Sequence, residues 1–197
     1  MTTLDTLGSI GLSDRIRANT AAPQQPGTIR GMGDDAAVFT RNDQELGLLA
    51  TNMLLEGIHF DLTYVPLKHL GFKVVATSVS DIAAMNGLPT QVTVSIGLSS
   101  RFTLEAVDEL YEGIRLACEA YGIDLVGGHT TASRAGLVIA ISVLGNVPAN
   151  QITYRNTAQP NDVLCVTGDL GGAFLGLQVL EREKAAWSAD PDRKSVV

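Results

Sequence analysis

Apolar residues along this chain keep two different periods, and the switches between them mark out its elements. From Thr103 to Gly122 the positions Val107, Leu110, Tyr111, Ile114, Ala117, Cys118 and Tyr121 fall three or four apart. That spacing predicts a helix with one buried face, capped by Thr103 and stopped by Gly122. A second helix is predicted in "VPLKHLGFKVVATSVSDIAAMNGLP", with Pro66 in its first turn and Asn86-Gly87 at its end. "QVTVSIGLS" alternates instead: Val92, Val94, Ile96 and Leu98 share one face, and Thr93, Ser95 and Gly97 the other. This is the period of a half-buried strand. "LGLLATNMLL" reads as a largely buried strand, and "IDLVGG" as a short strand running into a glycine turn. "GLVIAISVLGNV" is apolar on both faces, which places it centrally in a sheet or in an interface. Before all of these, a helix is expected from about Leu4 to Ala18, followed by "NTAAPQQPGTIRGMG" as a loop.

After Val147 the texture changes. "PANQITYRNTAQPNDV" is a polar connection, and "VLCVTGDLGGAFLGLQVLEREKAAW" then reads as strand, glycine turn and helix. One strand and one helix cannot bury each other's faces. The expectation is an N-terminal domain over residues 1–149, then a linker and the incomplete start of a second domain over 150–197, as in a truncated chain.

Composition narrows the function. The 197 residues are 45% hydrophobic, enough to bury a core, and carry a formal net charge of -7. A surface of that sign argues against nucleic-acid binding, which needs clustered Lys and Arg. It leaves room for ATP, whose charge metal ions can offset. The two cysteines, Cys118 and Cys165, sit in apolar sequence and are expected to be buried, unpaired thiols. The N-terminus shows no basic start followed by an apolar core, and "AGLVIAISVLG" is too short to cross a bilayer. A soluble cytoplasmic protein with no membrane partner is expected.

Candidate chemistry begins at "GMGDDAAVF". Asp34 and Asp35 stand side by side after glycines, where like charges repel unless something positive sits there. Asp81 in "SVSDIAAMNG" and Glu56 in "MLLEGIHF" also lie at element ends. Carboxylates from separate elements suit a hard cation such as Mg²⁺, which bridges to phosphates. The plainer roles are a helix cap for Asp81 and an Asx turn for Asp35. "LVGGHTTAS" and "VTGDLGGAFLG" offer bare backbone amides to an anion, although no Gly-Lys-Ser/Thr follows either. His59 stands beside a glycine turn, where it would contact a phosphate or pyrimidine, or merely bond a backbone carbonyl. No zinc spacing and no nucleophile–base pattern is present.

Taken in order, "GMGDDAAVF", "ATNMLLEGIHFDLTYVPLKHLGFK", "SVSDIAAMNGLP", "LVGGHTTAS" and "YRNTAQPNDVLCVTGDLGGAFLGL" resemble the thiamine-monophosphate kinases. These belong to the aminoimidazole-ribonucleotide-synthetase-like ATP-binding proteins. The resemblance implies an α/β (α+β) fold: an N-terminal mixed sheet with helices on one face, dimerising through the sheet, then a second α/β domain. It implies ATP-dependent phosphorylation of thiamine monophosphate to thiamine diphosphate, with Mg²⁺, in a homodimer. By motif match, Asp35, Thr51, Asn52, Asp81 and His129 fall on magnesium positions. His59 falls on the thiamine-phosphate position, and Tyr111, Gly128, His129 and Arg155 on ATP positions. No residue is implied as a covalent catalyst. At Asn52 and His129 the family usually carries aspartates, so two negative charges are gone. Two other readings therefore stand beside the kinase: a dimeric remnant that no longer turns over, and a synthetase relative with another phosphorylated substrate.

Overall fold

The computed structural model describes Thr6 and residues 8–189, and the chain divides into two compact units, Met1–Thr157 and Ala158–Val197. The first unit opens with α1 (Gly8–Asn19); the earlier residues of the expected helix lie largely outside the described ones. Six strands follow, β1 (Thr28–Arg30), β2 (Ala37–Thr40), β3 (Glu45–Leu55), β4 (Leu88–Leu98), β5 (Asp124–Ala132) and β6 (Val138–Pro148). Between them stand α2 (Leu67–Ala84) and α3 (Leu104–Tyr121).

The strands form one sheet in the order β1-β2-β3-β6-β4-β5. All neighbours are antiparallel except β4 and β5, which run parallel and are joined through α3. The expected mixed α/β architecture is therefore present. The last strand takes a central place: β6 lies between β3 and β4, pairing Thr51 with Ser142 on one side and Thr93 with Ser142 on the other. Its side chains alternate. Ile139, Ile141, Val143 and Val147 are buried, whereas Val138, Ala140, Ser142 and Leu144 lie on a more open face.

The core fills the space between the helices and that buried face. Leu70, Val74, Val75, Ile82, Leu110 and Ile114 from the helices meet Leu48, Val92, Val94, Ile139 and Ile141 from the strands. Two glycines let the helices touch. A Cβ on Gly71 would lie 2.1 Å from Leu110 O, and one on Gly113 would lie 1.9 Å from Lys68 O. The caps of α3 are those expected: Thr103 Oγ1 accepts from Ala106 N at 3.3 Å, and Gly122 turns left-handed with φ 66°.

Three departures from the sequence pattern have physical reasons. β1 and β2 are three and four residues long, too short to show a period. β5 extends beyond "IDLVGG" to Ala132 because β4 offers partners along that whole length. In the second unit, residues 163–167 form no strand and α4 (Gly172–Ala189) follows directly; an apolar run without a partner strand has no ladder to join. Cys118 is buried as expected, but Cys165 is exposed on that unpaired run. No helix among the described residues is long and apolar enough to cross a membrane.

Candidate active site

Four segments meet where β2 begins: the loop before it, the middle of β3, the last turns of α2, and the stretch after β6. Asp34 comes first because it organises the rest. Its carboxylate is fully buried, and Oδ1 accepts from the backbone amide of Asp35 at 3.1 Å. A buried charge needs partners. Arg30 Nη2 lies 3.2 Å from Asp34 Oδ2, and Arg155 Nε lies 3.7 Å from Oδ1. Arg30 also lies over the Tyr154 ring, 4.3 Å from its centroid, and reaches Asn156 Oδ1 at 3.3 Å. Two further bonds fasten the same stretch to the end of α2: Thr153 N to Met85 O at 3.2 Å, and Asn86 Nδ2 to Gln151 O at 2.9 Å.

With the loop fixed in this way, Asp35 faces outward from it and pairs with the Arg155 guanidinium. Asp81 approaches from α2. Asn52, on β3, donates through Nδ2 to Asp81 Oδ2 at 2.7 Å and also reaches Ser78 Oγ at 3.4 Å. Its side-chain oxygen is left as an acceptor. Burial pushes the Asp81 carboxyl above its ordinary value; the negative charge of Asp35 adds to this, while the Asn52 bond and the Arg155 charge act the other way. The two carboxylates are thus close enough to repel.

This donor set suits a hard divalent cation. It offers two opposed carboxylates, a neutral amide oxygen, and an exposed guanidinium as the present counter-charge. Among the described residues no group of three or more His, Cys, Asp or Glu is placed to hold a metal. A cation here would complete its shell with water or ligand phosphates, the usual habit of Mg²⁺.

The remaining sequence candidates fall elsewhere. Adjacent strand residues point to opposite faces. Thr51 therefore turns away from Asn52: its hydroxyl donates to Ile141 O at 3.1 Å and accepts from Ser142 Oγ at 3.2 Å, on the open face. His129 lies on β5 opposite Ser95, with β4 and β6 between it and β3. Three strand spacings, about 14 Å, separate it from the row of Met53. Tyr111, Gly128 and His129 do meet, in a groove of about 570 Å³ beside β5. Gly128 is required there, since a Cβ would fall 1.8 Å from Val94 O. Arg155 is not among them.

His59 closes the turn after β3. Its Nδ1 accepts from Leu55 N at 3.1 Å, which leaves Nε2 as the protonated nitrogen of the neutral ring. Lys73 Nζ donates to His59 O at 2.8 Å. Glu56, the third acidic spot in the sequence, is engaged structurally by Arg101 and by Leu137 N at 2.9 Å. Sequence reading passed over Arg30, which holds Asp34. Its signal was the four-residue spacing to Asp34 within a glycine-rich loop.

Comparison with known proteins gives a consistent relationship. Residues 33–147 match the family described as AIR synthase related protein, N-terminal domain. The thiamine-monophosphate kinase of Bacillus subtilis is 35% identical over 153 residues, covering 78% of this chain and 47% of that protein. That of Synechococcus elongatus is 32% identical over 195 residues, covering 98% of this chain and 56% of that protein. Among solved structures, AaThiL complexed with AMPPCP and TMP superposes with a TM-score of 0.81 at 31% identity, over 93% of this chain and 55% of that one. The chain spans about half the length of the curated relatives it matches.

Proposed function

Because the chain belongs to the AIR synthase related family through its N-terminal domain, we propose that it is the N-terminal part of a thiamine-monophosphate kinase. The proposed substrates are ATP and thiamine monophosphate, with Mg²⁺ as the metal. The observation that carries this reading is the Asp81 carboxylate, held from β3 by Asn52 and near enough to Asp35 to feel its charge.

In this reaction an oxygen of the thiamine phosphate attacks the γ-phosphorus of ATP. The bond from that phosphorus to the β,γ-bridging oxygen breaks, and ADP leaves with the electron pair. No covalent nucleophile is needed, because such transfer rests on positioning and on neutralising charge. Bound Mg²⁺ would supply that neutralisation next to the phosphates. Asp35 and Asp81 would hold it, with Asn52 giving its amide oxygen. Arg155 would leave Asp35 for the triphosphate, and His59 would donate Nε2–H to the thiamine phosphate. Tyr111 and Gly128 would form part of the nucleotide groove. The hydroxyl of Thr51 and the ring of His129 have no share in this cation within one chain.

We also propose a homodimer formed through the sheet. Leu49, Met53 and Leu144 are exposed on its open face, and β5 is exposed along its full length at one edge. A cytoplasmic setting accords with the two free thiols.

Calorimetric titration of the chain with ATP, with and without Mg²⁺, tests the site. Magnesium-dependent binding supports the reading. A folded chain that binds neither would favour a non-catalytic remnant, which Asn52, in place of the aspartate that the resemblance implies, also favours.

A further inference from the structure

Resting on the kinase reading, we propose that Lys73 is a second binding group for the acceptor phosphate, acting beside His59. The two are locked together. Lys73 Nζ donates to His59 O at 2.8 Å, while Leu55 N holds the His59 ring by Nδ1 at 3.1 Å. The turn therefore carries one imidazole N–H and α2 brings an ammonium with spare donors against its backbone, both on exposed residues. Among the described residues no carboxylate pairs with Lys73. In a chain with 21 acidic and 14 basic residues, a cation held in place by a neutral carbonyl keeps its full charge for a ligand.

Position along α2 supports the role. Lys73, Thr77 and Asp81 follow one side of the helix in four-residue steps. Lys73 and Asp81 are eight residues apart, about 12 Å along the axis. The cation of the carboxylate pair and the ammonium of Lys73 would thus stand at the two ends of the reacting phosphates. Two dianionic groups brought together repel, and an ammonium behind the acceptor offsets that repulsion from the side Mg²⁺ does not reach. The ligand class is a phosphate monoester, and specificity follows: thiamine itself, lacking the phosphate, gains nothing from Lys73.

The test is titration of the parent chain, Lys73→Gln and Lys73→Arg with thiamine monophosphate, thiamine and inorganic pyrophosphate. Lys73→Gln is expected to weaken thiamine monophosphate and pyrophosphate about tenfold while leaving thiamine within twofold. Lys73→Arg restores most of the loss, which a packing defect would not allow. Equal binding of thiamine monophosphate by the parent and Lys73→Gln overturns the proposal and leaves the kinase reading intact. Lys73-dependent pyrophosphate binding without any thiamine monophosphate binding upholds the anion site and removes the thiamine substrate instead. A folded parent that binds neither anion overturns the proposal.

Discussion

Asn52 on β3 donates its side-chain amide to Asp81 on α2 across 2.7 Å. The contact gives the Asp81 carboxylate a neutral donor, which partly offsets its burial and the charge of Asp35.

Asn52→Asp is therefore expected to have opposite effects in two conditions. Without divalent cations it loses a charge-assisted bond and gains a repulsion, costing about 2 kcal/mol of stability. With Mg²⁺ and ATP it adds a third carboxylate, and binding tightens. Thermal unfolding with and without Mg²⁺ reads both. His129→Asp, three strands away, is expected to leave the same metal response unchanged. If His129→Asp tightens binding as much as Asn52→Asp, the separation described above does not govern the site.

The Asp81 carboxyl sits above its ordinary value of 3.8, chiefly through burial and then through Asp35. For an acid shifted this way, stability is fully present below the unfolded pKa and is lost as pH rises through the folded one. Asp81→Asn removes that loss. In the absence of metal the variant is expected to resist urea better than the parent at about pH 7. The difference should close as pH falls below 3.8. An advantage that persists in acid would show that the effect is not one of ionisation.

Arg155 pairs with Asp35, and its side chain is 56% exposed. An exposed ion pair is a weak competitor. Arg155→Gln is expected to tighten Mg²⁺ binding by about threefold when no nucleotide is present. The same change should weaken binding of the magnesium–ATP complex. Loss of affinity for both would mean that Arg155 holds the loop through Asp34 rather than competing for Asp35.

Gly113→Ala sets two effects against each other. Helix propensity favours alanine by about 1 kcal/mol. The close approach opposes it, since the new Cβ would lie 1.9 Å from Lys68 O on α2. Backbone cannot yield like a side-chain tip, so a net loss of about 3 kcal/mol is expected in urea unfolding. A variant as stable as the parent would mean that α2 and α3 do not touch there.

Much of the first unit was legible because its signals are local. The three- and four-residue spacing in "LEAVDELYEGIRLACEAY" and the caps Thr103 and Gly122 need no partner to be read. The alternation in β4 is likewise intrinsic. In β3 the pairing with β6 sets Thr51 and Asn52 on opposite faces, although the resemblance put both at magnesium. What was not legible depends on pairing across the chain. Nothing in "LVGGHTTAS" shows that two strands will separate His129 from Asn52. Nothing in "VLCVTG" shows that it will find no partner. Lys73 was missed because an isolated lysine on a helix carries no signal until the turn bearing His59 folds back onto it.

The place of β6 constrains how the protein can be made. β3 and β4 each pair along their length with β6 and not with each other. On the ribosome both strands emerge before it, each with an unsatisfied edge toward the position β6 will fill. Their ladders close only once translation has passed Pro148, with Thr51 and Ser142 meeting across 91 positions of sequence. Such non-local pairing is slow and leaves strand edges open to other nascent chains. α2 and α3, which approach each other closely at Gly71 and Gly113, draw on local sequence alone and can form before that final strand is translated.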